Sequence, residues 1–189
     1  MKKTLALIAA IALPLFTHAQ TNQVPSSASN AFQTIFDWFT AVNPELDGVF
    51  TNTSAMLWSG IDSVQGANST LQNEIGLSYQ FGKSFPISLE AVTRNGGVAG
   101  VVISQGIGLD LSWNIRDMRF SAYADGVYYL ADNEVPGNVP NPKFKDKIAG
   151  EVGLRVFKAM GKFTYGYVLI GAQFPTSRQV LGAGIGIRF

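Results

Sequence analysis

The constraint that governs this chain is a period of two. In Val180 to Phe189 (Val-Leu-Gly-Ala-Gly-Ile-Gly-Ile-Arg-Phe), Leu181, Ala183, Ile185, Ile187 and Phe189 alternate with Gly182, Gly184, Gly186 and Arg188. Successive side chains of a β-strand point to opposite faces, so this strand has one apolar face and one of glycine and a single charge. The same alternation recurs from about residue 51 onward. Ile75, Leu77, Tyr79 and Phe81 oppose Glu74, Gly76, Ser78 and Gln80, and Ile107, Leu109, Leu111, Trp113 and Ile115 oppose Gly106, Gly108, Asp110, Ser112 and Asn114. A helical period of 3.6 cannot produce this pattern, so the body of the chain is read as all-β.

Eight candidate strands follow in order: about Thr51 to Asp62, Leu71 to Phe81, one around Ile87 to Arg94, Gly106 to Ile115, Met118 to Leu130, one from Gly150, Lys162 to Phe174, and the last. The connections after strands two, four and six read as short, those after one, three and five as longer. The longest is 131–146, rich in Pro, Asn, Asp and Lys. In the first strand Ala55, Leu57, Ser59 and Ile61 are expected to face outward, although Met56 and Trp58 compete for that face. In the seventh, Phe163, Tyr165, Tyr167 and Leu169 share a face.

Before the strands, Lys2-Lys3, the apolar run Leu5 to Phe16 and Thr17-His18-Ala19 have the composition of a secretory signal. The run is shorter than the roughly 18–20 residues of a membrane-spanning helix. Residues 1–19 are therefore expected to be a signal peptide, 20–48 a periplasmic segment and 49–189 a barrel. Loss of Lys2 and Lys3 would leave fewer basic residues than the 13 acidic ones, turning the formal charge from +1 to −1. That balance offers no basic surface for nucleic acid. Within the periplasmic segment, Phe32, Ile35, Phe36, Phe39 and Val42 recur at helical spacing behind Ser29, predicting an amphipathic helix over about 30–42. Such a helix either plugs the barrel or lies on the membrane.

Chemistry is constrained by absences. There is no cysteine, and the one histidine, His18, lies in the leader, so thiol chemistry and a histidine base are not expected in the mature chain. No catalytic residue, metal or cofactor is expected. The Asp132-Asn133-Glu134 run is too short to specify calcium. A carboxylate pair from Glu90 and Asp110 is the remaining enzymatic arrangement. The strand charges fall on one face: Glu74, Glu90, Asp110, Asp125 and Glu151 with Arg94, Arg119, Arg155 and Arg188. Nearly balanced acids and guanidiniums inside a narrow lumen are expected to pair, because an unpaired buried ion costs several kcal/mol. The three glycines of the last strand are expected to keep the lumen open beside it. Phe81, Trp113, Phe120, Phe163 and Tyr165 are expected in an aromatic girdle at the short-turn end, and Tyr128 in its counterpart at the other end. The loop residues Asp132, Glu134, Lys143, Phe144, Lys145 and Lys147 are a candidate surface site.

Over Thr51 to Phe189 the chain resembles the small eight-stranded outer-membrane β-barrel proteins of the OmpX, Ail and OmpA transmembrane class. The preceding helix resembles, in outline, the lipid A palmitoyltransferases. The first resemblance implies an antiparallel up-and-down transmembrane barrel in the bacterial outer membrane with both termini periplasmic. It implies a monomer contacting outer-membrane lipid and lipopolysaccharide. Insertion would be by the outer-membrane assembly machinery, with Leu181, Ala183, Ile185, Ile187 and Phe189 as the recognised closing strand. A structural or surface-interaction role is the leading expectation; a narrow solute channel and a lipid-modifying enzyme are the alternatives. A soluble lipocalin-like barrel would need its apolar face turned inward.

Overall fold

A computed structural model describes residues 37, 38, 40–65, 70–81, 86–96, 102–132, 148–175 and 178–189. The segment expected to be a signal peptide, most of the helix predicted over 30–42 and the candidate loop site other than Asp132 lie outside these residues. The chain divides into two units, Met1–Ala41 and Val42–Phe189. In the first, Asp37, Trp38 and Thr40 are helical, with the Ala41 N–H donating to the Asp37 carbonyl at 2.9 Å.

The second unit opens with two short 3-10 turns, Pro44–Leu46 and Val49–Asn52. Asn43 starts the first by accepting from the Glu45 N–H, and Pro44 supplies the fixed φ favoured at that position. Gly48 joins the two at φ 71°, in the left-handed region that favours glycine. Its N–H donates to the carbonyl of Arg116 at 3.1 Å. Phe50 is fully buried from the second turn, against the ring of Tyr165.

Eight strands then close into one antiparallel barrel in sequence order. They are β1 (Ala55–Gln65), β2 (Thr70–Gln80), β3 (Ile87–Gly96), β4 (Val102–Ile115), β5 (Met118–Asp132), β6 (Ile148–Ala159), β7 (Thr164–Phe174) and β8 (Arg178–Arg188). The seam pairs β1 with β8 from Met56 opposite Arg188 to Gln65 opposite Gln179, so neither strand keeps a free edge. The Phe189 N–H donates to the Ala55 carbonyl, and the Phe189 carbonyl accepts from Ser54.

Side-chain burial follows the pleat. Leu57, Ile61, Ile75, Leu77, Leu109, Leu111 and Ile185 are exposed on the outside, while acids, arginines and hydroxyls are buried inside. This is a soluble barrel's pattern reversed.

Three expectations on boundaries change. β1 begins at Ala55, because Thr51 and Asn52 belong to the turn that buries Phe50. β3 begins only at Ile87, so the β2–β3 connection is longer than the β1–β2 one, contrary to the expected order. Proline at 86 has no N–H for the ladder, while its carbonyl accepts from the Ser112 N–H at 2.7 Å. β7 begins at Thr164, after a bend that contains Phe163.

The shortest connection is Arg116-Asp117 between β4 and β5, with Arg116 at φ 57°. A non-glycine residue in the left-handed region needs local support. Asp117 supplies it: its carboxylate accepts from Lys158 Nζ at 2.6 Å and from the Asn43 N–H at 3.0 Å. One buried carboxylate thereby ties the turn, β6 and the leading segment together.

Candidate functional site

The lumen holds the densest chemistry among the described residues. Sequence dictates its core through one motif used twice. Glu90-Ala-Val-Thr-Arg94 on β3 and Glu151-Val-Gly-Leu-Arg155 on β6 each place an acid and an arginine four residues apart, hence on one face. The strands run in opposite directions, so the acid of each faces the arginine of the other across the barrel. Arg94 grips Glu151 with Nη1 to Oε2 at 2.8 Å and Nη2 to Oε1 at 2.9 Å, and Arg155 Nη1 meets Glu90 Oε2 at 2.8 Å.

Arg94 serves two further carboxylates. Its Nε stands 2.6 Å from Asp62 Oδ2, and its Nη2 2.8 Å from Glu74 Oε2. One guanidinium thus joins β1, β2, β3 and β6. Glu74 also accepts from the Trp58 indole N–H at 2.7 Å and from the Tyr167 hydroxyl at 3.0 Å. Glu151 accepts from the Tyr123 hydroxyl and from Gln173 Nε2. The Arg155 guanidinium lies between two rings, 4.6 Å from the centroids of both Trp58 and Tyr123, where the ring quadrupoles favour a cation.

Arg119, nearer the turn end, donates to neutral partners: Ser112 Oγ at 2.6 Å, Gln80 Oε1 at 3.2 Å and Ser88 Oγ at 3.3 Å. Asp110 Oδ1, Glu90 Oε1 and both oxygens of Asp125 are buried without a protein donor. Towards the turn end the filling becomes aromatic. Phe157 meets the rings of Trp58, Tyr165 and Tyr167 at centroid distances of 6.3, 5.3 and 6.0 Å.

No family model matches this sequence, and no curated protein matches it. Among solved structures, a barrel described as "De novo design of transmembrane beta-barrels" is similar at 13% identity and a TM-score of 0.56, over 72% of this chain and 96% of that one. The N-terminal β-barrel domain of Pseudomonas aeruginosa OprF is similar at 9% identity and a TM-score of 0.53, over 72% and 98%. The fold is that of the eight-stranded outer-membrane barrels.

Within that fold, Glu74, Glu90, Arg94, Asp110, Arg119, Asp125, Glu151 and Arg155 are all buried in the lumen. Arg188 stands apart from the central network. It donates to Thr53 Oγ1 at 3.3 Å and to the Lys162 carbonyl, and lies over the Phe163 ring at the turn end. The expected near-balance of lumenal charge therefore changes: Asp62 joins the acids, while Arg188 stays at the rim. Glu90 is held by Arg155 through Oε2, while its Oε1 and Asp110 Oδ1 are buried without a hydrogen-bond partner.

The glycines of β8 do not hold the lumen open. A Cβ at Gly182 would meet Asp62, one at Gly184 the Tyr167 ring, and one at Gly186 the Tyr165 ring. Gly76 similarly receives the Trp58 indole. Each absent side chain makes room for a large one from a neighbouring strand, as close packing requires.

The aromatic expectations separate in the same way. Phe81, Trp113 and Phe163 are exposed on the outside, with Trp113 stacked on Phe120 at 5.8 Å, and Tyr128 is half-buried on the outer face. Tyr165 is not in a girdle. It is fully buried in the lumen, its hydroxyl donating to the Leu57 carbonyl at 3.0 Å. Both faces of β7 are apolar, so periodicity could not say which pointed in. Phe163 lies before the strand and escapes its parity.

Asp62, Trp58, Tyr123, Tyr167 and Gln173 also belong to the lumenal network, beyond the ionisable residues named for it from the sequence. Asp62 and Trp58 share a parity with Met56, and all three are buried. The signal available was the glycines: Gly76 and Gly182 lie opposite Trp58 and Asp62 in the ladders.

Proposed function

We propose that this chain is an integral outer-membrane barrel that acts as a structural or surface-interaction protein rather than as an enzyme or an open pore. One observation carries the reading. The outer wall is apolar, while Arg94–Glu151 and Arg155–Glu90 bridge the lumen from β3 to β6, filling the space a solute would need. Biological interaction then falls to the connections, of which the β5–β6 loop is the longest. Residues 1–19 would be the signal peptide, 20–48 a periplasmic segment, and both termini periplasmic. Outer-membrane lipid, lipopolysaccharide and the assembly machinery are the expected contacts, and the barrel would act as a monomer.

The competing reading is a narrow channel for small solutes. Buried polar atoms without a hydrogen-bond partner, among them oxygens of Asp110 and Asp125 and nitrogens of Arg119 and Arg155, favour it. Planar-bilayer recording decides between the two. A filled lumen gives no discrete openings from the wild type. Salt-dependent steps enlarged by Arg94→Ala would overturn the filled-lumen reading. Outer-membrane fractionation with heat-modifiable gel migration tests the location, and recovery as a soluble periplasmic protein would end it.

A further inference from the structure

The outer face of the barrel carries an island of neutral hydrogen-bonding side chains inside its apolar surface. Asn73 and Asn95 lie opposite each other on β2 and β3, and Thr93 and Gln105 on β3 and β4; all four are exposed. Asn73 Nδ2 stands 3.5 Å from Asn95 Oδ1. Apolar residues enclose the group on the same face. Leu71 lies beyond it towards the strand end, Ile75 and Ile107 lie on the other side, and Ile61 flanks it across the β1–β2 ladder, while Tyr128, with its hydroxyl, stands opposite Gln105.

We propose that this island is a binding site for the acyl-linkage carbonyls and hydroxyls of a bilayer lipid. The proposal rests on the membrane reading above. An amide offers two donors and an acceptor, so a single Asn–Asn contact leaves most of the group's capacity open. In hydrocarbon, each unmet polar group is costly, and irregular polar surface is tolerated only where something satisfies it. The island carries no Lys or Arg, so it lacks the charge-assisted donors that select phosphate. Neutral carbonyls and hydroxyls match it instead.

The position agrees with that chemistry. Asn95 immediately precedes the last residue of β3, and Asn73 is near the start of β2, so the island lies towards one end of its strands. The linkages between acyl chains and headgroup lie at the corresponding boundary of the hydrocarbon core. A protein partner would need a surface of about 800 Å² from each side, far more than four side chains supply.

The test places the ¹⁵N-labelled protein in nanodiscs of diacyl phosphatidylcholine and, separately, of its dialkyl ether analogue, which lacks the carbonyls. In the ester lipid, the side-chain amide protons of Asn73, Asn95 and Gln105 are expected to show cross-peaks to glycerol and first-methylene protons. They should also show downfield shifts that are lost in the ether lipid. The double variant Asn73→Leu/Gln105→Leu should insert normally and lose the ester-specific shift at Asn95. Cross-peaks only to choline methyls or water, cross-peaks between differently labelled protein copies, or equal shifts in both lipids would overturn the proposal. Failure of the wild type to insert would end the membrane reading together with it.

Discussion

Arg94 on β3 and Glu151 on β6 form a two-pronged ion pair through the middle of the barrel, at 2.8 and 2.9 Å, and Arg155 and Glu90 repeat the pair in the opposite sense. The arrangement follows from giving two antiparallel strands the same acid-to-arginine spacing. Buried pairs of this kind add little net stability over a well-packed apolar core, but they penalise every alternative register. A slip of either strand by one residue would turn its acid and its arginine to the lipid face.

Removing one partner is therefore far worse than removing both. Arg94→Met leaves Asp62, Glu74 and Glu151 buried without their cation and should cost about 3–5 kcal/mol. A double-mutant cycle with Glu151→Gln, followed by urea unfolding in vesicles, should give a coupling energy well above about 0.5 kcal/mol. Additive losses would mean that the pair is incidental.

Gly76→Val would place a side chain where the Trp58 indole lies, and that ring is held by the Glu74 carboxylate. Overpacking costs roughly 1–3 kcal/mol, with more expected where the neighbour cannot swing away. A lower unfolding midpoint and a changed Trp58 fluorescence maximum are the expected readouts. Gly126→Ala, where the nearest atom is the Ile107 carbonyl at 3.8 Å, serves as the tolerated control.

The leading segment should behave as part of the barrel. Phe50→Ala removes a fully buried ring that packs on Tyr165, for an expected loss of about 3 kcal/mol. Asp117→Ala removes the acceptor of both Lys158 and the Asn43 N–H. Both variants should speed hydrogen exchange at the Gly48 amide, which bonds to the Arg116 carbonyl. Unchanged exchange would show that the segment is not held by these contacts.

The outer wall offers a test that depends on the membrane alone. Ile107→Arg puts a charge at one of the most exposed apolar positions, 65% accessible, and should cost about 2–4 kcal/mol in a bilayer. Ser59→Ala, on the same face, should be nearly neutral. Equal effects in vesicles would argue that this wall does not meet hydrocarbon.

Sequence alone determined the elements whose two faces differ in chemistry. β2 and β4 alternate charge, glycine or small polar residues with large apolar ones, so their inner and outer sides were legible from period two; the same parity, read along β2 to β6, marked eight of the lumenal ionisable residues. β1 and β7 were legible as strands but not in their content. Trp58 and Met56 look as suited to lipid as Leu57 does, and Tyr165 as Phe163.

Only the tertiary structure decided what fills the lumen, because filling is a property of facing pairs rather than of one strand. Gly182, Gly184 and Gly186 read as empty space until Asp62, Tyr167 and Tyr165 occupy it from across the ladder. Asp62 becomes a network member because Arg94 reaches it from two strands away, and Arg188 stays at the rim because Thr53 and the Lys162 carbonyl are the groups within its reach. Period fixes which way a side chain points; register and shear fix what it meets.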